Sequence, residues 1–312
     1  MKKTKTKRSD VRLPCLGSHM SIAGGYYKAA VEAAEVGCDC VQLFTKNNNQ
    51  WKAKPITDED VRMFRQSLLE HQIIHPISHA SYLINLASPN RELWEKSIES
   101  LIVELERAEQ LGIPYVVVHP GAFTTSSEQR GIQKIAWALN RVYKRLSGIA
   151  AEVLLENTAG QGSNLGWRFE QLEQIILRCT EPQRIGVCID TCHAFAAGYH
   201  WHPINEFQRT KAALKLHLGL DRIKAIHMND SLREFGSRVD RHAHIGHGHI
   251  GREGFRNIMN DTDLIKIPMY LETAKGENPQ NGKLWDVCNL QVLRNLARPR
   301  GQTSGRKSQR VG

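Results

Sequence analysis

Gly186-Val187-Cys188-Ile189-Asp190-Thr191-Cys192-His193-Ala194-Phe195-Ala196-Ala197-Gly198 is the stretch on which the reading of this chain turns. Val187, Cys188 and Ile189 form an apolar run that stops at a carboxylate, Asp190, with an imidazole, His193, three residues on. A run apolar on both faces suits a strand buried on both sides, as in a parallel sheet covered by helices. A buried strand that opens onto Asp-x-x-His is arranged to hold positive charge at its C-terminal mouth.

Seven more short apolar, β-branched runs share this form, which places eight strands at 13–17, 40–44, 74–77, 115–118, 153–155, 186–189, 223–226 and 267–271. Helical periodicity fills the gaps, over 26–36, 58–71, 91–111, 129–146, 169–178 and 205–218. Thr57-Asp58-Glu59-Asp60 and Ser88-Pro89-Asn90 read as helix starts, and Gly37 and Gly112 as helix stops. Eight strand–helix alternations predict an α/β protein, a single (β/α)8 TIM barrel, with a doubly wound open sheet as the runner-up. The barrel is expected over 13–297, without a linker or second domain.

The ends of these strands carry the chemistry. The third runs into His79, the fourth into His119, the fifth into Glu156, the sixth into Asp190, the seventh into His227 and the eighth into Glu272. In a barrel these positions share the C-terminal face. Any one of them alone reads as a cap or a hydrogen-bonded polar residue. Together, carboxylates packed so closely would repel one another or take up protons unless cations neutralised them. Imidazoles and carboxylates without convergent thiolates suit zinc, manganese or iron, and the donors outnumber what one four-coordinate ion needs. Asp240-Arg241-His242 adds two more donors, which extended chain would place on one side. His244, His247 and His249 follow among glycines that imply a tight loop, and are not expected to be ligands; His200 and His202 read as surface residues. Cys188 and Cys192 read as core packing. Gly160-x-Gly162-x-x-x-Gly166 lacks the spacing of a dinucleotide fingerprint, so no nucleotide cofactor is expected.

Composition sets the remaining limits. No apolar run approaches a membrane span, and the basic N-terminus lacks the apolar segment of a secretory signal. Seven cysteines, mostly inside apolar runs, fit reduced thiols in a cytoplasmic protein. The net charge of +10 sits at the ends: residues 1–12 carry six basic residues against one acidic, and 298–312 carry five basic residues. Both segments read as disordered basic arms able to touch a polyanion or simply to solubilise, around a formally neutral body. With no coiled-coil pattern or obvious apolar face, a monomer is expected.

Longer blocks then carry a resemblance. His19-Met20-Ser21-Ile22-Ala23-Gly24-Gly25, Phe44-Thr45-Lys46-Asn47, Ser81-Tyr82-Leu83-Ile84-Asn85-Leu86, His119-Pro120-Gly121, Glu156-Asn157-Thr158-Ala159-Gly160-Gln161-Gly162, Cys188-Ile189-Asp190-Thr191-Cys192-His193, Gly236-Ser237-Arg238-Val239-Asp240-Arg241-His242 and Leu271-Glu272-Thr273 stand in one order. The chain closely resembles the endonuclease IV family of apurinic/apyrimidinic endonucleases. The resemblance implies a DNA-repair enzyme that acts on duplex DNA at abasic sites with three zinc ions. His79 and His119 would hold one ion, bridged by Glu156 to a second completed by Asp190, His227 and Glu272. His193, Asp240 and His242 would hold the third. A hydroxide between the first two ions would attack the phosphorus 5′ to the lesion, leaving a 3′-hydroxyl and a 5′-deoxyribose phosphate, with Glu156, Glu272 and Asp190 as the catalytic carboxylates. Trimming of blocked 3′ ends is a further implied activity. Tyr82 and Leu83 match the loop that presses into the duplex. Asn49 stands where some members carry an intruding arginine, which shifts weight onto Tyr82, Leu83 and Trp51. The competing enzyme is a divalent-metal sugar isomerase or epimerase, since related barrels share part of the ring; a non-catalytic abasic-DNA binder is the third reading.

Overall fold

In the computed structural model, which describes residues 14–297, eight parallel strands close into a barrel. The arms expected at 1–12 and 298–312, together with Leu13, lie outside the described residues. The barrel strands are β1 (Leu16–Met20), β2 (Cys40–Phe44), β3 (Ile74–His79), β4 (Tyr115–Val118), β5 (Glu152–Glu156), β6 (Ile185–Asp190), β7 (Ile223–His227) and β10 (Met269–Leu271). A two-stranded hairpin, β8 (Asp230–Ser231) with β9 (His242–Ala243), stands in the loop after β7. Closure is made by β1 against β10, with Gly17 opposite Tyr270 and Ser18 opposite Leu271, and this rules out the open sheet.

Helices α1 (Tyr26–Glu35), α2 (Asp58–Glu70), α3 (Arg91–Leu111), α4 (Glu128–Arg145), α5 (Phe169–Leu177), α7 (Ile204–His217), α8 (Gly251–Met259) and α9 (Trp285–Leu296) follow the strands in turn. A short α6 (Thr191–Ala197) leaves β6 directly. Their boundaries follow from local chemistry. Thr57 and Asp60 form a reciprocal capping box at the start of α2, and Asn90 caps α3 by accepting from the Leu93 amide. Gly112 ends α3 at φ 77°, and Gly37 follows α1 at φ 81°, conformations that L-residues with side chains rarely adopt.

The first strand differs from expectation: it occupies Leu16–Met20 rather than 13–17. Pro14 has no amide hydrogen for a ladder, and pairing with β2 starts at Gly17 and continues through His19 to Met20. Likewise β10 begins at Met269, just after Pro268.

The barrel interior is plugged by one layer made of Cys40, Ile77, Val117, Leu154, Cys188, Ala225 and Tyr270. Gly17 completes it; a Cβ there would lie 2.0 Å from the Cys40 carbonyl oxygen, so only glycine fits. Inward-facing positions recur every two residues. The next inward positions after this layer are therefore His19, Gln42, His79, His119, Glu156, Asp190, His227 and Glu272. An apolar floor carries a polar ring one layer above it, at the C-terminal face.

Candidate metal centre

Six of the ring residues are the strand-end donors read from the sequence, and the structure brings them together with His193, Asp240 and His242. His193 lies on α6, whose start Asp190 caps by accepting from the His193 amide at 2.7 Å. The helix thereby aims an imidazole back over the strand it grew from. Asp240 and His242 arrive from the far side, on the chain leading into β9.

The donor atoms fall into overlapping groups. His79, His119 and Glu156 form one, and Glu156, Asp190, His227 and Glu272 another; Asp190, His193 and His242 form a third. Within them His79 Nε2 and His119 Nε2 lie 3.2 and 3.1 Å from Glu156 Oε2. His227 Nδ1 lies 3.0 Å from both Glu156 Oε1 and Glu272 Oε2. Asp240 spans the two imidazoles of the third group, 3.1 Å from His193 Nε2 and 3.3 Å from His242 Nε2. Bonds of ~2.0–2.1 Å in a tetrahedral shell would set neighbouring donors about 3.3 Å apart. The grouping implied by the resemblance put Asp190 on one ion alone; here it stands between the second and third groups, 3.6 Å from His242 Nε2.

Three further observations show that the residues fit metal ions. First, the second ring nitrogen of each of four imidazoles is tied down. His79 Nδ1 donates to the Ala80 carbonyl (2.7 Å), His193 Nδ1 to the Asn157 carbonyl (2.9 Å) and His242 Nδ1 to the Glu272 carbonyl (3.2 Å). His227 Nε2 donates to Gln42 Oε1 (2.8 Å). Carbonyl oxygens only accept, so the outer nitrogens carry the ring protons, and the inward nitrogens are the ones whose lone pairs a cation would take. Second, His193 Nε2 and His242 Nε2 are buried beside carboxylate oxygens, of Asp240 for both and of Asp190 for His242, without a well-aligned hydrogen bond to either. Third, the carboxylates are held charged. Burial pushes Glu156 toward protonation, but the neighbouring His227 and His119 outweigh it and hold it well below the usual range. Glu272 is held low in the same way by His227, and Asp240, against its own burial, is drawn down to about 2 by His193. His193 moves oppositely: burial would lower it, yet Asp190 and Asp240 raise it well above an ordinary imidazole. Charged carboxylates set this close to one another call for positive charge between them.

Residues that sequence reasoning missed complete the support. Gln42 donates to Glu272 Oε1 (2.6 Å) and to His19 Nδ1 (3.0 Å) while accepting from His227. Asn229 donates to Asp190 Oδ2 (2.6 Å) and accepts from the Glu272 amide. Asn157 accepts from the Asp190 amide (2.7 Å). Gln42 and His19 share the ring's position in their strands, and that position was the available signal.

The remaining candidates divide. Tyr82, 56% exposed, borders the donors, its ring 5.2 Å from that of His79 and 6.1 Å from that of His119. Leu83 is half-buried beside it, and Asn49 is exposed on the loop after β2. Trp51 is not brought to the donors: it turns against α3, where the Lys96 ammonium sits 4.5 Å over its ring. Cys188 lies in the apolar floor as expected. Cys192 comes near Asp240 and His242, but burial pushes its thiol up to about 12 and it donates to the Arg241 carbonyl, so it packs rather than ligates. His244, His247 and His249 join none of the donor groups found among the described residues. Their loop wraps the buried Asp230, which accepts from the amides of Gly246, Gly248 and Ile250. His200 and His202 are half-buried rather than surface residues; His200 stacks on Phe235 with ring centroids 3.5 Å apart.

Residues 30–293 match the family described as xylose isomerase-like TIM barrel. A probable endonuclease 4 from Chloroflexus aggregans is 47% identical over 287 residues, covering 92% of this chain and 99% of its own length. The chain belongs to the endonuclease IV family. The crystal structure of endonuclease IV from Thermus thermophilus superposes with a TM-score of 0.78 at 38% identity, over 91% of this chain and 98% of that one. A D-tagatose 3-epimerase-like protein superposes at 0.67 with 17% identity, over 90% and 96% of the two chains, a likeness of fold alone. The endonuclease IV barrel and the sugar-epimerase barrel thus share their architecture, and sequence identity separates them.

Proposed function

We propose that this chain hydrolyses the phosphodiester 5′ to an abasic site in duplex DNA, leaving a 3′-hydroxyl and a 5′-deoxyribose phosphate. The observation that carries the reading is the donor ring at the barrel mouth in a member of the endonuclease IV family. His79, His119 and Glu156 would hold one zinc ion, Glu156, Asp190, His227 and Glu272 a second, and His193, Asp240 and His242 a third. Bound zinc supplies a water that ionises near neutral pH and positive charge that receives a phosphate.

The chain's own residues supply the rest. Glu156 belongs to both of the first two groups, so one fixed carboxylate would serve both ions. Gln42 and the carbonyls of Ala80, Asn157 and Glu272 fix the imidazole orientations before substrate arrives. Tyr82 and Leu83 would enter the duplex beside this centre, and an inserted ring costs least where a base is already missing. Asparagine at position 49 is short and uncharged, so insertion would rest on Tyr82 and Leu83. Blocking groups on 3′ ends, joined through the same kind of ester, would be removed by the same centre.

Incubation with a duplex carrying one abasic analogue tests the reading. Incision on the 5′ side of the lesion is expected from protein carrying about three zinc per chain; intact duplex with zinc-loaded protein would overturn it. A single tightly held manganese would favour the isomerase chemistry instead.

A further inference from the structure

Helix α3 buries two charged residues beneath the loops that would meet DNA. Glu104 is 1% exposed, and its Oε1 lies 3.2 Å from Lys46 Nζ, itself in a buried side chain, and accepts from the Ser81 amide at 3.1 Å. Its Oε2 accepts from Thr45 Oγ1 at 2.8 Å. One carboxylate therefore grips both the β2–α2 loop, which carries Asn49, and the β3–α3 loop, which carries Tyr82 and Leu83. Lys46 Nζ passes the link on to the Gln50 carbonyl (2.8 Å), and Ser81 Oγ donates directly to the Asn48 carbonyl (2.5 Å). One turn further along α3, Arg107 donates to the carbonyls of Thr45 and Lys54, each at 2.7 Å. The loop between Phe44 and Asp58 has no regular structure, yet its carbonyls are engaged at Thr45 and Lys54 by Arg107 of α3, at Asn48 by Ser81 of the neighbouring loop and at Gln50 by its own Lys46.

A buried ion pair adds little stability that well-packed apolar residues could not supply. What this one does that they could not is bond backbone atoms of two separate loops at once. We propose that Glu104 is a positioning residue: it sets the distance between the Asn49 loop and the Tyr82–Leu83 loop and holds both in the conformation that receives the duplex. The ordering of the two loops is then complete before binding, which preserves affinity. This inference rests on the proposed action at abasic duplexes.

Glu104→Gln keeps the shape and loses the charge. Steady-state incision of an abasic duplex should show KM raised about tenfold, with kcat changed by less than about threefold and zinc content unchanged. Placed on a Tyr82→Ala, Leu83→Ala background, the same substitution should raise KM by less than about twofold, because the loop it positions has lost its contacts. An unchanged KM, or an equal rise on both backgrounds, would overturn the inference. Ser81→Ala, which removes the link to Asn48 without touching the ion pair, should raise KM by about threefold if Glu104→Gln does not fold; no rise would count equally against it. Wild-type protein that leaves the duplex intact defeats the functional reading, whereas active wild type with an unaltered Glu104→Gln variant defeats only the positioning role.

Discussion

Gln42 carries no charge and would coordinate no ion, yet it touches three members of the site. Its oxygen accepts from His227 and its nitrogen donates to Glu272 and His19. Since a carboxylate oxygen can only accept, the amide has one orientation, and that orientation decides which nitrogen of His227 keeps its lone pair facing inward. His19 accepts from the same amide and stays neutral, because burial drives its pKa down to about 3. Gln42→Leu fills much the same space but leaves a buried His227 N–H without an acceptor. It should weaken zinc binding by about 10–100-fold, the usual cost of losing such a partner. Competition against a chromogenic chelator measures this, and wild-type affinity in the variant would reduce Gln42 to packing. Six of the site's donors were legible because each sits where an apolar strand stops abruptly at His, Asp or Glu; His193, Asp240 and His242 were legible from their spacing, Asp-x-x-His and Asp-x-His. Gln42 was not, since its strand runs on to Phe44 and glutamine gives no signal of metal chemistry. Glu104 was equally hidden, one more acid in the helical pattern of α3 until the fold shows what lies above it.

Elements explain how the third donor group is delivered. Asp240 and His242 belong to no barrel strand; they depend on the hairpin, in which Ser231 of β8 pairs with His242 of β9. The hairpin is set from behind by Asp230, whose carboxylate gathers the amides of the following glycine-rich loop, and by the His249 amide donating to the Ser231 carbonyl at 2.8 Å. Gly248 threads this turn so closely that a Cβ would stand 2.3 Å from the Ser231 carbonyl oxygen and 2.6 Å from Asp230 Oδ1. Gly248→Ala must push Ser231 aside and His242 with it. The variant should lose about 1–3 kcal/mol of stability, the common cost of overpacking. It should also bind about two zinc ions in place of about three, through loss of the Asp240–His242 group. Denaturant unfolding and elemental analysis check the two halves separately; full zinc content would show that the hairpin is not what places these donors. Most of this was within reach of the sequence, because the glycines mark a tight loop. Its purpose was not, because Asp230 meets those glycines only after the chain has turned back. The first strand was misplaced for a related reason: the apolar run beginning at Leu13 looked stronger than Leu16–Met20, whose polar His19 faces the site.

At the scale of the whole molecule, charge is divided by place. The barrel between the two basic segments is formally neutral, and the excess of +10 is carried by residues 1–12 and 298–312. A neutral body can still attract a phosphate at its mouth, because divalent ions there would locally reverse the sign set by Glu156, Asp190, Asp240 and Glu272. The two sources of attraction differ in range and in response to salt. Ions at the centre act at contact on one or two phosphates, while basic arms would neutralise several phosphates along the duplex and release their counterions. For duplex DNA the logarithm of affinity falls with the logarithm of salt at roughly 0.9 per neutralised phosphate. Deleting both arms should therefore flatten the salt dependence of binding between about 50 and 200 mM salt, by a slope equal to the phosphates they neutralise. Incision of the abasic duplex at low salt should persist, since the donors and both loops proposed to meet DNA lie within residues 14–297. Fluorescence anisotropy with a labelled abasic duplex gives the slope directly. A slope unchanged by the deletion would mean that the arms do not touch DNA, and that affinity arises at the mouth of the barrel alone.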